Sequence, residues 1–226
     1  MMLWKLYSHL ISLSKRLSRK GVYPFLEAQM SSVPAGSRVL AVGAGGPVAE
    51  LARRLAEEKG FSLTLFDVST EYKKPDIVGD ICTYDFGREE IFRCVVMSEV
   101  LEHLHEPAGA LSRVHRWLEK DGTLVLTVPF IFPLHDRPHD YFRFTRFGLE
   151  LLLKDFRDVA VQERNSWGEA LNVLVVRLVM ENARAAQIAA PLLIAFAFLA
   201  APPLMLASRV IKTDYLTTGY LVVARK

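Results

Sequence analysis

The sequence predicts an α/β fold: a doubly wound, mostly parallel sheet of seven strands, helices on both faces, and an apolar helical insertion before the last strand. Three observations carry that prediction. Residues 38–67 run strand, glycine turn, helix, strand, acid. Apolar runs of strand length then alternate with helical stretches as far as residue 165. From Ala185 to Ser208 there is no Asp, Glu, Lys or Arg, a segment that a minimal α/β domain does not need.

The first stretch organises the rest. Val39–Val42 is an apolar run the length of a buried strand. Gly43, Gly45 and Gly46 open a turn, and Pro47 occupies the first turn of a helix. Val48, Leu51, Ala52 and Leu55 fall on one helical face, with Arg53, Arg54, Glu57 and Glu58 opposite. Gly60 stops the helix, and a second strand, Phe61–Phe66, ends in Asp67. Glycines at a strand end let backbone approach a ligand closely. An acid at the next strand tip can accept both hydrogen bonds of a ribose diol. A dinucleotide and S-adenosylmethionine (SAM) both fit this logic. The G-x-G-x-x-G fingerprint would place its last glycine at Val48, which disfavours the dinucleotide and an oxidoreductase.

A chain of 226 residues is one α/β domain with additions. We divide it into an N-terminal segment 1–33, a nucleoside-binding domain 34–165 plus 214–226, and an insertion 166–213. A net charge of +3 gives no case for nucleic acid. Cys82 and Cys94 lack metal or redox spacing and read as buried thiols of a reducing, cytoplasmic compartment. No cleavable signal peptide is evident. Residues 1–20 carry Lys5, Lys15, Arg16, Arg19 and Lys20 without an acid. Within residues 2–19, Leu3, Trp4, Tyr7, Leu10, Ile11, Ser14 and Leu17 cluster at helical spacing. That helix lies either on an anionic membrane surface or against the domain.

Gly21 and Pro24 break it, a short helix around Phe25–Met30 follows, and Pro34-Ala35-Gly36 turns into the first strand. Asp76–Ile81 reads as a third strand; Asp80 is either a second acid for an adenine amino group, beside the Ile81 amide, or a turn cap. Phe92–Ser98 is a fourth strand, Pro107 opens a helix through Leu118, Asp121-Gly122 is a tight turn, and Thr123–Val128 is a fifth strand. Gly43, Asp67, Asp80, Ser98 and Pro129 all fall at strand carboxyl ends, where open α/β sheets bind ligands. Residues 157–164 and 216–225 read as the last two strands.

VLAVGAGGP, LFDVS, GDI, VVMSEVLEHLHEP, DGTLVLTVPF and HDRPHDYFRFTRFGLELLL, in that order and spacing, resemble a class I SAM-dependent methyltransferase of the small-molecule type. The resemblance covers roughly residues 37–165 and the last dozen. It implies that Gly43 and Gly45 approach the methionine portion of SAM, Asp67 holds the ribose, Asp80 and Ile81 hold the adenine, and Ser98 and Glu99 line the pocket. It also implies a terminal antiparallel strand pair. The family's acid before the first glycine is Ala41 here, and its third glycine is Pro47.

The loop Phe130–Arg143, FIFPLHDRPHDYFR, packs titratable groups between aromatic residues, and Thr145 caps the helix after it. Methyl transfer to a hydroxyl needs alignment and removal of a proton. His139 or His135 suits the base, with Asp140 orienting a histidine; Tyr141 and Arg143 suit an acidic or phosphorylated substrate. The alternative is that Asp140, Tyr141 and Arg143 brace the loop. His135, Asp136, His139 and Asp140 could also ligate a metal, but Pro138 inside the run and the lack of a further ligand cluster argue against it, and no metal is expected. His103 and His105 read as structural, and Glu102 as a local cap.

The segment 185–208 is long and apolar enough to enter a bilayer. A single crossing would strand the last strand away from its sheet. Pro202-Pro203 therefore predicts a re-entrant hairpin, with Arg184, Arg209 and Lys212 at its edges. An apolar lid or a dimer interface is the other reading, which leaves a homo-oligomer open. The whole sequence reads as a peripheral or monotopic methyltransferase on the cytoplasmic face of a membrane. Its acceptor would be small and lipidic or lipid-linked, with oxygen favoured. The alternative is a membrane-attached binding partner that keeps the fold without catalysis, favoured by Ala41 and Pro47.

Overall fold

The computed structural model describes residues 9, 12, 18–43, 45–70, 75–178 and 184–226. The expected helix over residues 2–19 lies almost wholly outside them. Two compact units are present: Met1–Val22 with Phe130–Leu134 and Glu163–Gly219, and Tyr23–Pro129 with His135–Gln162 and Tyr220–Lys226.

The second unit is built on the sheet. Its strands are β1 (Arg38–Val42), β2 (Ser62–Asp67), β3 (Ile77–Val78), β4 (Phe92–Ser98), β5 (Leu118–Pro129), β6 (Arg157–Glu163) and β7 (Gly219–Arg225), in the order β3-β2-β1-β4-β5-β7-β6. The pairs β1–β2, β1–β4, β2–β3 and β4–β5 are parallel, with Val39 opposite both Leu63 and Cys94. Val39, Leu40, Val95, Val96, Leu124, Val125 and Leu126 are fully buried, the pattern of strands covered on both faces. The helices are α1 (Val22–Ser31), α2 (Gly46–Lys59), α3 (Pro107–Trp117), α4 (Arg146–Leu152), α5 (Trp167–Arg177) and α6 (Arg184–Val210). Gly45 is the N-cap of α2, and Gly60 ends it at φ 73°. Buried Ala49, Ala52 and Leu55 form its inner face. On α3 that face is Ala110, Leu111, Val114 and Trp117. The Thr145 hydroxyl accepts from Gly148 N at 3.0 Å and starts α4 as the sequence predicts.

Two strands differ from expectation. The third is only two residues long, because the chain turns at once: Asp80 Oδ1 accepts from Cys82 N (2.8 Å), and Asp80 O accepts from Thr83 N and Tyr84 N. The fifth begins five residues early. Asp121-Gly122 is a bulge within β5: Asp121 takes φ 61° and the β4–β5 register shifts between Phe92 and Cys94. A Cβ built on Gly122 would lie 2.8 Å from Glu119 O.

In the first unit α5 and α6 pack on each other. Ser166 and Glu169 form a capping box at the start of α5. A Cβ on Gly168 would fall 2.4 Å from Leu204 O, so only glycine lets the two backbones approach there. Val176 packs with Ala190, Ile194 and Ala197. Residue numbers fall along α6 as they rise along α5, so the helices are antiparallel. The expected break at Pro202-Pro203 is not seen: Pro191, Pro202 and Pro203 lie inside one helix of 27 residues. The Gly168–Leu204 approach lies beside the proline pair. α6 does not reverse within 185–208.

Candidate active site

Strand order reverses beside β1, so the crevice of this sheet opens where β1 and β4 end. Gly43 follows β1 at φ 84°, and its N–H donates to Phe66 O at 2.9 Å. A Cβ there would lie 2.9 Å from Val100 Cγ2. Only glycine fits that backbone and that space. Gly46, at φ 65°, opens α2 with Pro47 in its first turn, where a missing N–H costs no helical bond. Ala41, at the place of an expected acid, packs with Ala49 and Leu65 in an apolar cluster.

Asp67 ends β2 half-buried, and its Oδ1 accepts from Ser69 N at 3.1 Å. Asp80 carries the turn bonds given above, and the Ile81 side chain is buried. After β4, Glu99 takes φ 55°. Thr127 Oγ1 donates to Glu99 Oε1 (3.0 Å) and lies 2.9 Å from Ser98 Oγ. A hydroxyl has one proton, so Ser98 donates to Thr127 and Thr127 to Glu99. This relay fixes the Glu99 carboxylate at the sheet edge.

The chain then makes a 3-10 turn, Leu101–His103. Glu102 O accepts from Tyr141 N (3.0 Å) and Phe142 N (3.2 Å), tying this turn to the loop after β5. The Glu102 side chain is 0% exposed and both its oxygens lack a hydrogen-bond partner. Its Oε1 lies 3.6 Å from His103 Nε2 and 3.6 Å from His135 Nε2. His103 Nδ1 lies 2.7 Å from His139 O, and the two imidazole rings, of His103 and His135, meet edge to face. Burial pushes the Glu102 carboxyl up. Burial opposes the charge on His135, but Glu102 and then Asp140 outweigh it, and its pKa is raised.

The expected residues of the loop separate into two groups. Asp140, its side chain 3% exposed, takes both Nη1 and Nη2 of Arg143 (2.5 and 2.6 Å), the His135 N–H (2.9 Å), and lies 3.3 Å from His135 Nδ1. Burial would raise its pKa, but Arg143 holds it down at about 2. Asp140 is thus the partner of His135 and Arg143. His139 is exposed and its Nδ1 meets the Tyr141 hydroxyl at 2.9 Å. The sequence reading missed Thr127 and the inward aim of Glu102 and His103. The flanking Leu101 and Leu104, both buried, were the available signal that the turn carries Glu102 inward. Both cysteines are free and buried, as expected, and burial pushes the Cys94 thiol up to about 12.

A family model described as a methyltransferase domain matches residues 14–165, most of the chain. No curated protein matches it significantly. Among solved structures the chain is similar to a SAM-dependent methyltransferase from Archaeoglobus fulgidus, at TM-score 0.60 and 16% identity, covering 92% of this chain and 95% of that one. It is also similar to the [4+2]-cyclase SpnF, at TM-score 0.57 and 17% identity over 89% and 79% of the two chains. Phosphoethanolamine N-methyltransferase 2 of Haemonchus contortus, bound to phosphomonomethylethanolamine and S-adenosylhomocysteine, matches at TM-score 0.56 and 17% identity over 88% of this chain. This chain spans about half, 51%, of that enzyme. At these identities the solved structures establish the fold, and the family model, over the stretch that holds the glycine turn and the β4 turn, establishes the kinship. The chain belongs to the methyltransferase-domain family, the class I methyltransferases that use S-adenosylmethionine.

Proposed function

We propose that this methyltransferase acts at the cytoplasmic face of a membrane, as a peripheral or monotopic protein, and methylates a small lipidic or lipid-linked acceptor at oxygen. The observation that carries the reading is the outer face of α6. Ile188, Leu192, Phe196, Leu199, Leu206 and Val210 are each at least 60% exposed, on the side away from the Ala190, Ile194 and Ala197 contact with α5. Within α6, Ile188–Val210 is the one helix among the described residues that is long and apolar enough to cross a membrane. Each such side chain gains about 1.5–3 kcal/mol on leaving water, so the stripe favours a hydrocarbon surface strongly. Arg184, Arg209 and Lys212 at its two ends suit anionic headgroups.

Bound SAM brings an already activated methyl group. The chain's residues would do the rest. Gly43 and Gly45 admit the methionine portion, Asp67 accepts from the ribose, Asp80 and Ile81 meet the adenine, and Ser98 and Glu99 line the pocket. His135, oriented by Asp140, or His139, paired with Tyr141, takes the acceptor proton. Arg143 holds Asp140, and with Tyr141 faces an acidic acceptor.

Two expected results test this reading. Asp67→Ala weakens SAM binding about tenfold or more by calorimetry, the loss of a charge-assisted hydrogen bond worth about 1.5 kcal/mol; unchanged affinity would remove the ribose assignment. In flotation with vesicles of neutral and anionic phospholipid, the protein rises with the lipid. Leu192→Asn with Leu199→Asn, both surface positions, shifts most of it to the bottom fraction. Given methyl-labelled SAM and a membrane extract, it places label in the organic phase. A protein that stays down without lipid contact, or forms a dimer through this face, would overturn the membrane reading.

A further inference from the structure

We propose that Glu102, His103 and His135 form a binding site for one divalent transition-metal ion, with a position left open for an oxygen of the methyl acceptor. This departs from the expectation of no metal, which weighed His135 with Asp136, His139 and Asp140 and left out Glu102 and His103. Three ligand atoms, one from each residue, lie within 4.8 Å of one another. Glu102 is a fully buried carboxylate whose oxygens make no close hydrogen bond; Oε1 has only the two imidazole nitrogens, each 3.6 Å away, a loose pairing for a buried charge.

The two imidazoles show what that is. A carbonyl oxygen only accepts, so His103 Nδ1, 2.7 Å from His139 O, carries a proton. In the neutral ring Nε2 is then a lone pair, and it faces Glu102. His135 is built alike: Nδ1 lies 3.3 Å from Asp140 Oδ2, and Nε2 faces Glu102. A metal-bound histidine characteristically hands its other N–H to a carboxylate or a backbone carbonyl, and here one of each is present. The spacing agrees. An imidazolium on a carboxylate would close to about 2.8 Å. The observed 3.6 Å on both sides is instead near the separation of two ligands that sit about 2.0–2.2 Å from a shared ion. Two histidines and one carboxylate suit zinc, manganese, iron or cobalt, and three protein ligands leave room for a further oxygen. Asp136 Oδ2, 3.8 Å from His103 Nε2 on an exposed side chain, stands at the rim.

The acceptor half of the proposal rests on the O-methylation reading. An acceptor hydroxyl on the ion loses its proton more easily, as metal-bound water does. The sulfonium S–C bond breaks as the O–C bond forms, the sulfur leaves as a neutral thioether, and the proton passes to His139, the base that is left when His135 holds the ion, and from there to water. The class of acceptor is a hydroxyl compound whose oxygen can take the open position on the ion.

The test uses the untagged full chain in detergent, stripped with chelator and titrated with cobalt(II) and zinc(II). We expect one ion per chain at micromolar affinity or tighter, with the visible absorption of cobalt in a nitrogen and oxygen site. Glu102→Gln, which keeps the shape and removes the buried charge, lowers affinity by at least about a hundredfold, more than the loss of an outer-shell partner would, as does His135→Ala. SAM affinity is measured on the same stripped samples and stays unchanged, which shows that each variant is folded. No stoichiometric cobalt uptake, or uptake unaltered in both variants, overturns the site; the latter would point to Asp80, Cys82 and His105, the other cluster of ligand-type side chains among the described residues. Uptake as expected with methyl transfer indifferent to the ion overturns the acceptor half alone. Failure of the lipid acceptor leaves the metal measurement standing.

Discussion

Gly43→Val abolishes SAM binding, whereas Gly46→Ala weakens it only slightly. Both glycines have positive φ, 84° and 65°, so both substitutions carry backbone strain. That strain is about 1–2 kcal/mol for an L residue in the left-handed region, and larger for a β-branched one. The space around them differs. Nothing lies within 4 Å of a Cβ built on Gly46, so alanine there adds strain alone. A Cβ on Gly43 meets Val100 Cγ2 at 2.9 Å, closer than real Cβ contacts come. Val100 follows Glu99, so relieving the clash pushes the turn after β4, which carries Glu99 and Glu102, away from the turn after β1. The two turns are the walls of the crevice. Valine adds two more carbons into it, at an overpacking cost of about 1–3 kcal/mol. By calorimetry we expect Gly46→Ala within about fivefold of the parent affinity, and Gly43→Val below detection, a loss of at least about a hundredfold for some 3 kcal/mol. Far-ultraviolet circular dichroism of both variants should show the sheet retained. Equal, modest losses would mean that the ligand does not enter between these turns.

The elements that fix the crevice were legible because each depends on local chemistry. Pro47 and Gly60 mark the ends of α2 by backbone conformation alone, Gly43 marks the end of β1, and the strands β1 and β4 are apolar runs that only burial on both faces explains. Thr145 and Gly60 announce their caps. What the sequence did not disclose depends on contacts made at long range. The length of β3 is set by a side chain, Asp80, turning back on Cys82 N. α6 runs on through its prolines while packed on α5, where Gly168 lies against Leu204 O, a contact that no reading of Pro202-Pro203 alone contains. The direction of the Glu102 side chain goes with the loop that holds the Glu102 carbonyl, through the N–H groups of Tyr141 and Phe142, 39 and 40 positions along the chain. A glutamate before a histidine reads as a surface cap until that loop is in place. The same holds for Asp140: its residue type fits an orienting acid, but which histidine it orients follows only from the fold.

Asp140→Ala destabilises the enzyme by about 3 kcal/mol and takes turnover with it, while Asp140→Ala combined with Arg143→Ala restores much of the stability without the turnover. Asp140 is buried and holds both Nη atoms of Arg143 and the His135 amide. Removing one partner of a buried ion pair leaves the other charge without its counter-ion, at a cost of about 3–5 kcal/mol. Arg143 retains about a fifth of its side-chain exposure and a bond to Phe142 O, so the lower end applies. For a chain of this size that lowers the melting temperature by roughly 6–12 °C. Removing both partners spares the desolvation of a lone charge, so the double variant should recover about half of the loss, a coupling of at least about 1 kcal/mol in a double-mutant cycle. Turnover does not recover, because His135 loses the carboxylate beside its Nδ1 and the acceptor of its amide in either case. Arg143→Ala alone separates the roles: it keeps the Asp140 contact with His135, so it should cost stability yet retain more turnover than Asp140→Ala. If the double variant regains turnover together with stability, Asp140 braces the loop and nothing more; if stability falls additively, the two residues are not a pair in solution, and the orientation of His135 must come from elsewhere in the turn that Glu102 anchors.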